Sequence, residues 1–420
     1  MPILPVTVRI SHTLASCALR AVACLNLAAG GLSAHAQGLT TEPPAPAVLG
    51  GSAGTAWEQR LLSQLPRVDD AHRADIGVYV RDLASGISVG YKAGQDWYIA
   101  SSVKVPVAIA VLRAVEAGQL SLDTPVTLRA SDYVDGAGNT NRQAVGTPLP
   151  VRLLIDQMII HSDNTATDML IDLVGVRQVN DVVTSLVPQG FGRITTLADV
   201  RRLVYGQLTP AASRLAGQDL LQLHRQPDDK ARLALLSRLT GVPQQHFRLK
   251  TLDAAWRAYY ASGANSARLD AYGELLSLIA TGHALEPQST RYLLGVMKRT
   301  VTGSRRIRAG LPPGTVFAHK TGTQRQRVCD SGLVSVRGAA QPVVIVACAQ
   351  GEPSTARGEN ALRDVGAAIC RSGLITSGVT DAPACPVVPP DAVAPSKSKP
   401  APASVAGGPR AGPVARPVAR

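Results

Sequence analysis

The sequence predicts an α+β fold in which an antiparallel β-sheet is flanked by helices and accompanied by an all-helical subdomain. Two observations lead to this prediction. Strand-like stretches of alternating apolar and polar residues lie near both ends of the central part of the chain, and apolar helical stretches fill the interval from 151 to about 300. Strands from the two ends are therefore expected to pair in one sheet, with the helices inserted between them.

The first elements are a helix and a β-hairpin. Ala56–Leu65 is helix-like, and Ile76–Leu83 and Ile87–Tyr91 alternate on either side of an Ala-Ser-Gly turn. An apolar helix is then expected over Ser101–Glu116, ended by Gly118.

The later elements return the chain to the sheet. After the helical interval, strands are expected at 315–323, 328–336 and 342–350, and a last helix near 357–371. These elements define one globular unit over 56–376, which is long enough to bury a core of its own.

The two ends of the chain have a different composition. Residues 1–36 combine early basic residues, a short apolar run and an Ala-His-Ala sequence, which is typical of a secretory signal peptide. Residues 37–55 are predicted to be a linker, and residues 386–420, rich in Pro and Ala with scattered basic residues, a disordered tail. We therefore expect a periplasmic or secreted protein with no membrane span after signal cleavage.

The net charge of +13 does not by itself indicate a nucleic-acid partner. Much of the excess lies in the predicted signal and tail, and no run of basic residues interleaved with aromatics occurs between them. No His pair at metal-ligand spacing with a nearby Glu occurs either, so no catalytic metal or cofactor is expected.

Two of the cysteines outside the predicted signal suggest a disulfide. Cys329 and Cys348 lie on strand-like runs joined by a turn near Gly338, which places them opposite each other. We predict a Cys329–Cys348 disulfide, as an exported chain permits. The alternative is a pair of buried free thiols.

Three short motifs follow one another along the chain. An S-x-x-K sequence from Ser101 to Lys104 begins the apolar helix, a Ser-Asp-Asn sequence begins at Ser162 after a helix-like run, and a Lys-Thr-Gly sequence begins at Lys320 on a strand. Each motif is common by itself, whereas the three in this order and on these elements are specific.

The residue types in these motifs suit nucleophilic catalysis. Ser101 and Lys104 are three residues apart, so a helix places them on one face. A serine hydroxyl needs a neighbouring base, and a buried lysine beside a second cation, here Lys320, loses its proton more easily. Lys104 is therefore the predicted base, and Ser162 the predicted relay of a proton to the leaving nitrogen.

Substrate-binding groups are predicted around this centre. Asn164 is expected to hold the base lysine and a substrate amide, and Lys320 and Thr321 to bind a substrate carboxylate. The strand through Gly322 is expected to lie beside the substrate and to offer the N–H of Thr323 to a developing oxyanion, together with the free N–H groups at the helix start.

With these motifs the chain resembles the class A β-lactamase-like serine hydrolases, within the penicillin-recognising serine enzymes, over about 60–375. Tyr98–Ala100 before the nucleophile, Val105–Val107 after the lysine and Ile307–Pro312 before the Lys-Thr-Gly strand add to the resemblance. The resemblance implies an antiparallel sheet with helices on its faces and a helical subdomain beside the active site. It also implies hydrolysis of β-lactam-like amides through an acyl-enzyme on Ser101.

The chain departs from the family pattern at the deacylation step. Class A β-lactamases activate the deacylating water with a Glu on a loop after the Ser-Asp-Asn motif, but no Glu occurs between Ser162 and Glu274. Asp199 is the nearest carboxylate in the expected loop and the candidate deacylation acid in place of this Glu, although its side chain is shorter. Its alternative role is that of a helix N-terminal acid paired with Arg202 or Arg201.

A second departure is an inserted segment, 203–265, that makes the stretch between the second and third motifs longer than in typical class A enzymes. It looks helical, and either packs as core or forms a reshaped substrate wall.

Two further site residues are predicted with alternatives. Tyr133 either lines the rim of the cleft or is a loop residue with no role in the site. Arg305 or Arg306 either binds a substrate carboxylate or lies on the surface.

Three functions are consistent with the motifs. The first is a class A-type β-lactamase. The second is a D-alanyl-D-alanine peptidase-like enzyme or penicillin-binding protein, which acts on cell-wall peptides and deacylates slowly because the usual Glu is missing. The third is a binding or sensing module on the same fold.

Overall fold

The structure, a computed structural model, describes residues 56–336, 338, 340–376 and 384–386. The predicted signal and linker, and the predicted tail beyond Pro386, lie outside the described residues. The helices are α1 (Ala56–Ala71), α2 (Lys104–Glu116), α3 (Val151–Ile160), α4 (Asn164–Val174), α5 (Val176–Leu186), α6 (Leu197–Gly206), α7 (Gly217–His224), α8 (Asp229–Thr240), α9 (Leu252–Tyr260), α10 (Leu269–Ala280), α11 (Pro287–Lys298), α12 (Ile307–Gly310) and α13 (Thr355–Ser372). The strands are β1 (Asp75–Asp82), β2 (Ser88–Tyr91), β3 (Asp96–Tyr98), β4 (Pro125–Thr127), β5 (Pro148–Pro150), β6 (Ser266–Arg268), β7 (Val316–Gln324), β8 (Arg327–Ser335) and β9 (Val343–Gln350).

Five strands form one antiparallel sheet in the order β2-β1-β9-β8-β7. The N-terminal hairpin pairs with the C-terminal meander through β1 and β9, where Asp75 lies opposite Gln350 and Asp82 opposite Val343. The predicted α+β fold, with a sheet assembled from both ends of the chain, is confirmed. Within the described residues β7 is an outer strand of this sheet, so one edge of its backbone borders the site described below.

Both faces of the sheet are apolar because helices cover each of them. Along β9, Val344, Val346 and Cys348 belong to the core beneath the helical subdomain, which is built around α2, α3, α4 and α10. Their neighbours Val343 and Ile345 belong to the opposite core, under α1 and α13. This period-two division of one apolar strand is what a sheet buried on both sides requires.

The inserted segment has a hydrophobic cluster of its own. Leu220, Leu236, Leu252 and Trp256, from α7, α8 and α9, pack together against α6. The inserted segment therefore packs around a hydrophobic core, which is one of the two roles that the sequence suggested for it. Among the described helices, none combines the length and the apolarity needed to cross a membrane.

The helix predicted from Ser101 starts later in the structure. A 3₁₀ turn, Ala100–Val103, precedes α2 and carries the serine. The disulfide predicted between Cys329 and Cys348 is present, joining directly opposed positions of β8 and β9. A second disulfide joins Cys370 of α13 to Cys385, a pair that the sequence spacing did not suggest.

Candidate active site

The candidate nucleophile, Ser101, sits in a tight turn beneath the outer strand β7. Ala100, just before it, has a left-handed φ of 47°, a backbone conformation that residues other than glycine seldom adopt. Gly322 of β7 approaches this turn so closely that a Cβ on it would lie 2.2 Å from the Ile99 carbonyl oxygen. The glycine of the Lys-Thr-Gly motif therefore lets the strand lie against the nucleophile turn. Ser101 is partly exposed.

Lys104 is buried at the centre of the site and joins the first two motifs. Its Nζ lies 3.1 Å from Ser101 Oγ and 3.2 Å from Ser162 Oγ. It also donates to the Ser162 carbonyl and to Asn164 Oδ1, both at 2.6 Å. Asn164 in turn donates its amide to the carbonyl of Asp135 at 2.7 Å, which fixes the amide orientation.

The environment of Lys104 suits a base that works near neutral pH. Complete burial disfavours the ammonium form and lowers the pKa of Lys104 to about 7, although the negative charges of Asp163 and Asp168 oppose the shift. A lysine with this pKa is half deprotonated at pH 7, so it can accept the proton of a hydroxyl 3.1 Å away.

Ser162 lies between the two lysines. Its backbone φ is +59°, and its hydroxyl is 2.9 Å from Lys320 Nζ as well as close to Lys104. The next residue, Asp163, caps α4 by accepting from Ala166 N at 2.8 Å, which holds the turn in place. A hydroxyl between two amines is positioned to pass a proton from one group to another.

Lys320 is fully buried on β7. Burial, reinforced by the positive charges of Lys104 and Arg306, lowers the pKa of Lys320 well below its usual value, while Asp330 opposes the shift. The next residue, Thr321, shares a 2.7 Å hydrogen bond with Thr302. The structure thus brings the three motifs into one site, with Ser101, Lys104, Ser162 and Lys320 linked by hydrogen bonds.

The structure places Arg306 behind the site and not in it, contrary to the expected role in carboxylate binding. Its side chain is buried, with 3% of the residue exposed, and its N–H groups donate to the carbonyls of Gly322 (2.9 Å) and Cys329 (2.7 Å). A further N–H donates to Thr323 Oγ1 at 2.6 Å. Arg306 therefore holds β7 in position against β8. The neighbouring Arg305 pairs with Glu359.

Arg306 is thus neither a substrate ligand nor a surface residue, whereas Tyr133 and Asp199 lie in the arrangements given as their alternatives. Tyr133 packs in the core, 6% exposed, and its hydroxyl donates to the Gln143 carbonyl at 2.5 Å, so its ring does not form a rim of the cleft. Asp199 accepts from Arg202 Nη1 at 2.9 Å in the first turn of α6, with nearly half of its side chain exposed. It is arranged as a helix N-terminal acid.

The sequence reasoning missed the carboxylates that hold the surrounding loops. Asp168 accepts from the backbone N–H groups of Leu197 (2.6 Å) and Ala198 (2.8 Å), and burial raises the pKa of Asp168 to about 7 despite these bonds. Asp135 accepts from Arg201 Nε at 2.6 Å. Burial of Asp135 opposes its ionisation, but Arg201 and His224 outweigh it and hold the pKa of Asp135 at about 2. No local motif marks these residues, because their partners are distant in sequence.

Comparison with known proteins identifies the family of the chain. A sequence model described as the beta-lactamase enzyme family matches residues 60–372. The chain belongs to this family. Beta-lactamase L2 of Stenotrophomonas maltophilia is 31% identical over 185 residues, which are 39% of this chain and 61% of that relative. Beta-lactamase ROB-1 of Haemophilus influenzae is 31% identical over 150 residues, and the match spans 47% of its length. The chain thus spans less than two thirds of the length of these relatives.

Two solved structures have a similar fold. A beta-lactamase from Sphaerobacter thermophilus is 25% identical with a TM-score of 0.55, covering 76% of this chain and 99% of that one. PBP-A is 23% identical with a TM-score of 0.56, covering 76% of this chain and 96% of that one. At this identity the likeness to PBP-A concerns the fold alone.

Proposed function

We propose that this beta-lactamase family member is an exported serine hydrolase that opens β-lactam amides through an acyl-enzyme on Ser101. The observation that carries the proposal is the 3.1 Å contact between Ser101 Oγ and the Nζ of a buried Lys104 with a pKa of about 7. It supplies a nucleophile together with its base.

Acylation follows from the positions of these groups. Neutral Lys104 accepts the Ser101 hydroxyl proton as Oγ attacks the lactam carbonyl carbon. The resulting oxyanion is stabilised by the backbone N–H groups of Ser101 and Thr323, in the manner of an oxyanion hole. As the C–N bond breaks, Ser162 gives its proton to the leaving nitrogen and regains one from Lys104, 3.2 Å away. Lys320 and Thr321 bind the substrate carboxylate.

The second half of the reaction, hydrolysis of the acyl-enzyme, separates a β-lactamase from a penicillin-binding protein. The pairing of Asp199 with Arg202 favours a second candidate, a D-alanyl-D-alanine peptidase-like or penicillin-binding enzyme that deacylates slowly on β-lactams. Loss of a positioned general base typically costs about 10²–10⁴-fold in rate.

An intact-mass time course with benzylpenicillin and with a chromogenic cephalosporin tests both halves. A transient adduct with steady product release supports the β-lactamase, and a persistent adduct supports the second candidate. The Ser101→Ala variant is the control, and an adduct on that variant would refute the assignment of the nucleophile.

Export is part of the proposal. It is supported by the signal-like segment 1–36 and by two disulfides, which persist in oxidising compartments. Cell fractionation with N-terminal sequencing tests it, since a cytoplasmic protein that keeps residues 1–36 would contradict export.

A further inference from the structure

The inserted segment (203–265) contacts the wall of the site that holds Asn164. Gly217 of this segment packs on the loop before α3, where a Cβ on it would lie 2.3 Å from the Tyr133 carbonyl oxygen. His224 Nδ1 lies 3.0 Å from the carboxylate of Asp135, and the carbonyl of Asp135 accepts the Asn164 amide. One side of the inserted segment therefore contacts Asp135, whose carbonyl orients the Asn164 amide that binds Lys104.

The same segment contacts the opposite wall through Arg325. This residue lies in the β7–β8 turn, two positions after Thr323, and its guanidinium pairs with Asp253 of α9 and, at 3.3 Å, with Asp229 of α8. Its Cζ also lies 5.6 Å from the ring centroid of Trp256. The inserted segment is thus fastened to the end of the strand that carries the Lys-Thr-Gly motif.

Aromatic residues of the segment fill the space between the two attachments. Trp256 lies between Arg325 and Arg201, whose Cζ is 5.7 Å from its ring centroid. Tyr260 packs on Tyr98, three residues before the nucleophile, with ring centroids 4.8 Å apart. The segment therefore touches the turn before the serine as well as both walls.

These contacts determine where the segment lies relative to the cleft. Ser101 is flanked by the start of α4, which it reaches through Lys104, and by β7, which packs on its turn through Gly322. A body attached to both flanks closes one end of the cleft between them. We infer that the inserted segment is a substrate wall that limits the size of the acyl group reaching Ser101, and that Arg325 helps to hold this wall against the β7–β8 turn.

The ion pairs of Arg325 are partly exposed. The exposed fractions of the side chains are 28% for Arg325, 47% for Asp229 and 68% for Asp253. Exposed pairs of this kind are weak one by one and are screened by salt. Removal of Arg325 is therefore expected to open the wall without unfolding the segment, whose own cluster of leucines remains.

The inference rests on the proposed function only in taking a β-lactam as the substrate. Access of reagents to position 101 is therefore measured without a β-lactam. In the full chain with Ser101→Cys, the cysteine at position 101 is labelled with iodoacetamide, a small reagent, or with fluorescein maleimide, a bulky one. Peptide mapping gives the rate of labelling by each reagent. Arg325→Ala is expected to raise the bulky-to-small rate ratio about tenfold, the change expected from loss of two ion pairs and one cation–π contact. Asp229→Asn with Asp253→Asn removes the same ion pairs from the other side and should raise the ratio by a smaller factor, since the contact between Arg325 and Trp256 remains.

A matched control is Arg152→Ala, which removes an exposed pair with Asp123 far from the segment and should leave the ratio unchanged. If both the Arg325 and the double aspartate variants keep the wild-type ratio while their circular dichroism and melting remain native, the wall is refuted. With Ser101 intact, the acylation rate of a cephalosporin with a large side chain relative to benzylpenicillin should rise in Arg325→Ala. If no β-lactam acylates any of these proteins, the proposed function is wrong. The ratio of labelling rates at position 101 still tests whether the inserted segment is a substrate wall.

Discussion

Raising the pH from 5 to 8 is expected to accelerate acylation of Ser101 along a curve with a midpoint near 7. Lys104 must be neutral to accept the serine proton, and its burial lowers its pKa to about 7 from 10.5. Because the folded-state pKa is lowered, the reactive form accumulates as pH rises through 7, and the rate levels off above that value. The midpoint belongs to the coupled group of Lys104, Asp168 and Lys320.

The size of the effect follows from the neutral fraction of Lys104. With a pKa of about 7, that fraction is about 1% at pH 5, about half at pH 7 and about 90% at pH 8, so acylation should accelerate roughly 50-fold between pH 5 and 7 and about twofold beyond. A lysine with its ordinary pKa would instead give a rate that rises about tenfold per pH unit throughout this range.

Stopped-flow or rapid-quench mass measurements of the second-order acylation rate constant with benzylpenicillin provide the assay. Asp168→Asn is the informative variant, since its carboxylate favours the charged form of Lys104 and its loss should move the midpoint to lower pH. A rate that keeps rising tenfold per unit to pH 9, or a midpoint that moves upward in Asp168→Asn, would refute the assignment of Lys104 as the base.

Three further outcomes are expected from substitutions around the site. Asp199→Asn should change the deacylation rate, measured by adduct decay, by less than about threefold, and a slowing near 10²-fold would show that Asp199 acts as the base. Cys348→Ser should lower the free energy of unfolding in urea by about 2–4 kcal/mol, since it removes a disulfide of β8 and β9, and an unchanged midpoint would contradict this. Arg306→Ala should slow acylation by up to about 100-fold by loosening β7, as expected of a positioning residue. An unchanged rate in Arg306→Ala would mean that β7 is held without it.

Much of the fold and of the site centre was predictable because the signals are local. Alternation marked the hairpin of β1 and β2 and the meander of β7, β8 and β9, and the predicted ends of these strands differ from the observed ones by no more than one residue. The spacing of Ser101 and Lys104 placed both on one face, although a 3₁₀ turn, and not the helix proper, carries the serine. The opposition of Cys329 and Cys348 followed from the length of one hairpin.

Residues whose role depends on distant partners were not predictable in this way. The sequence around Arg306 is consistent with a substrate ligand or a surface residue, and only the packed structure shows that it binds carbonyls of β7 and β8. The inserted segment showed its helical character in sequence, but not that Arg325 would pair with Asp229, 96 positions away. A motif specifies chemistry through neighbours along the chain, whereas burial, the lowered pKa of Lys104 and the closure of a cleft arise from side chains that meet only when the elements pack.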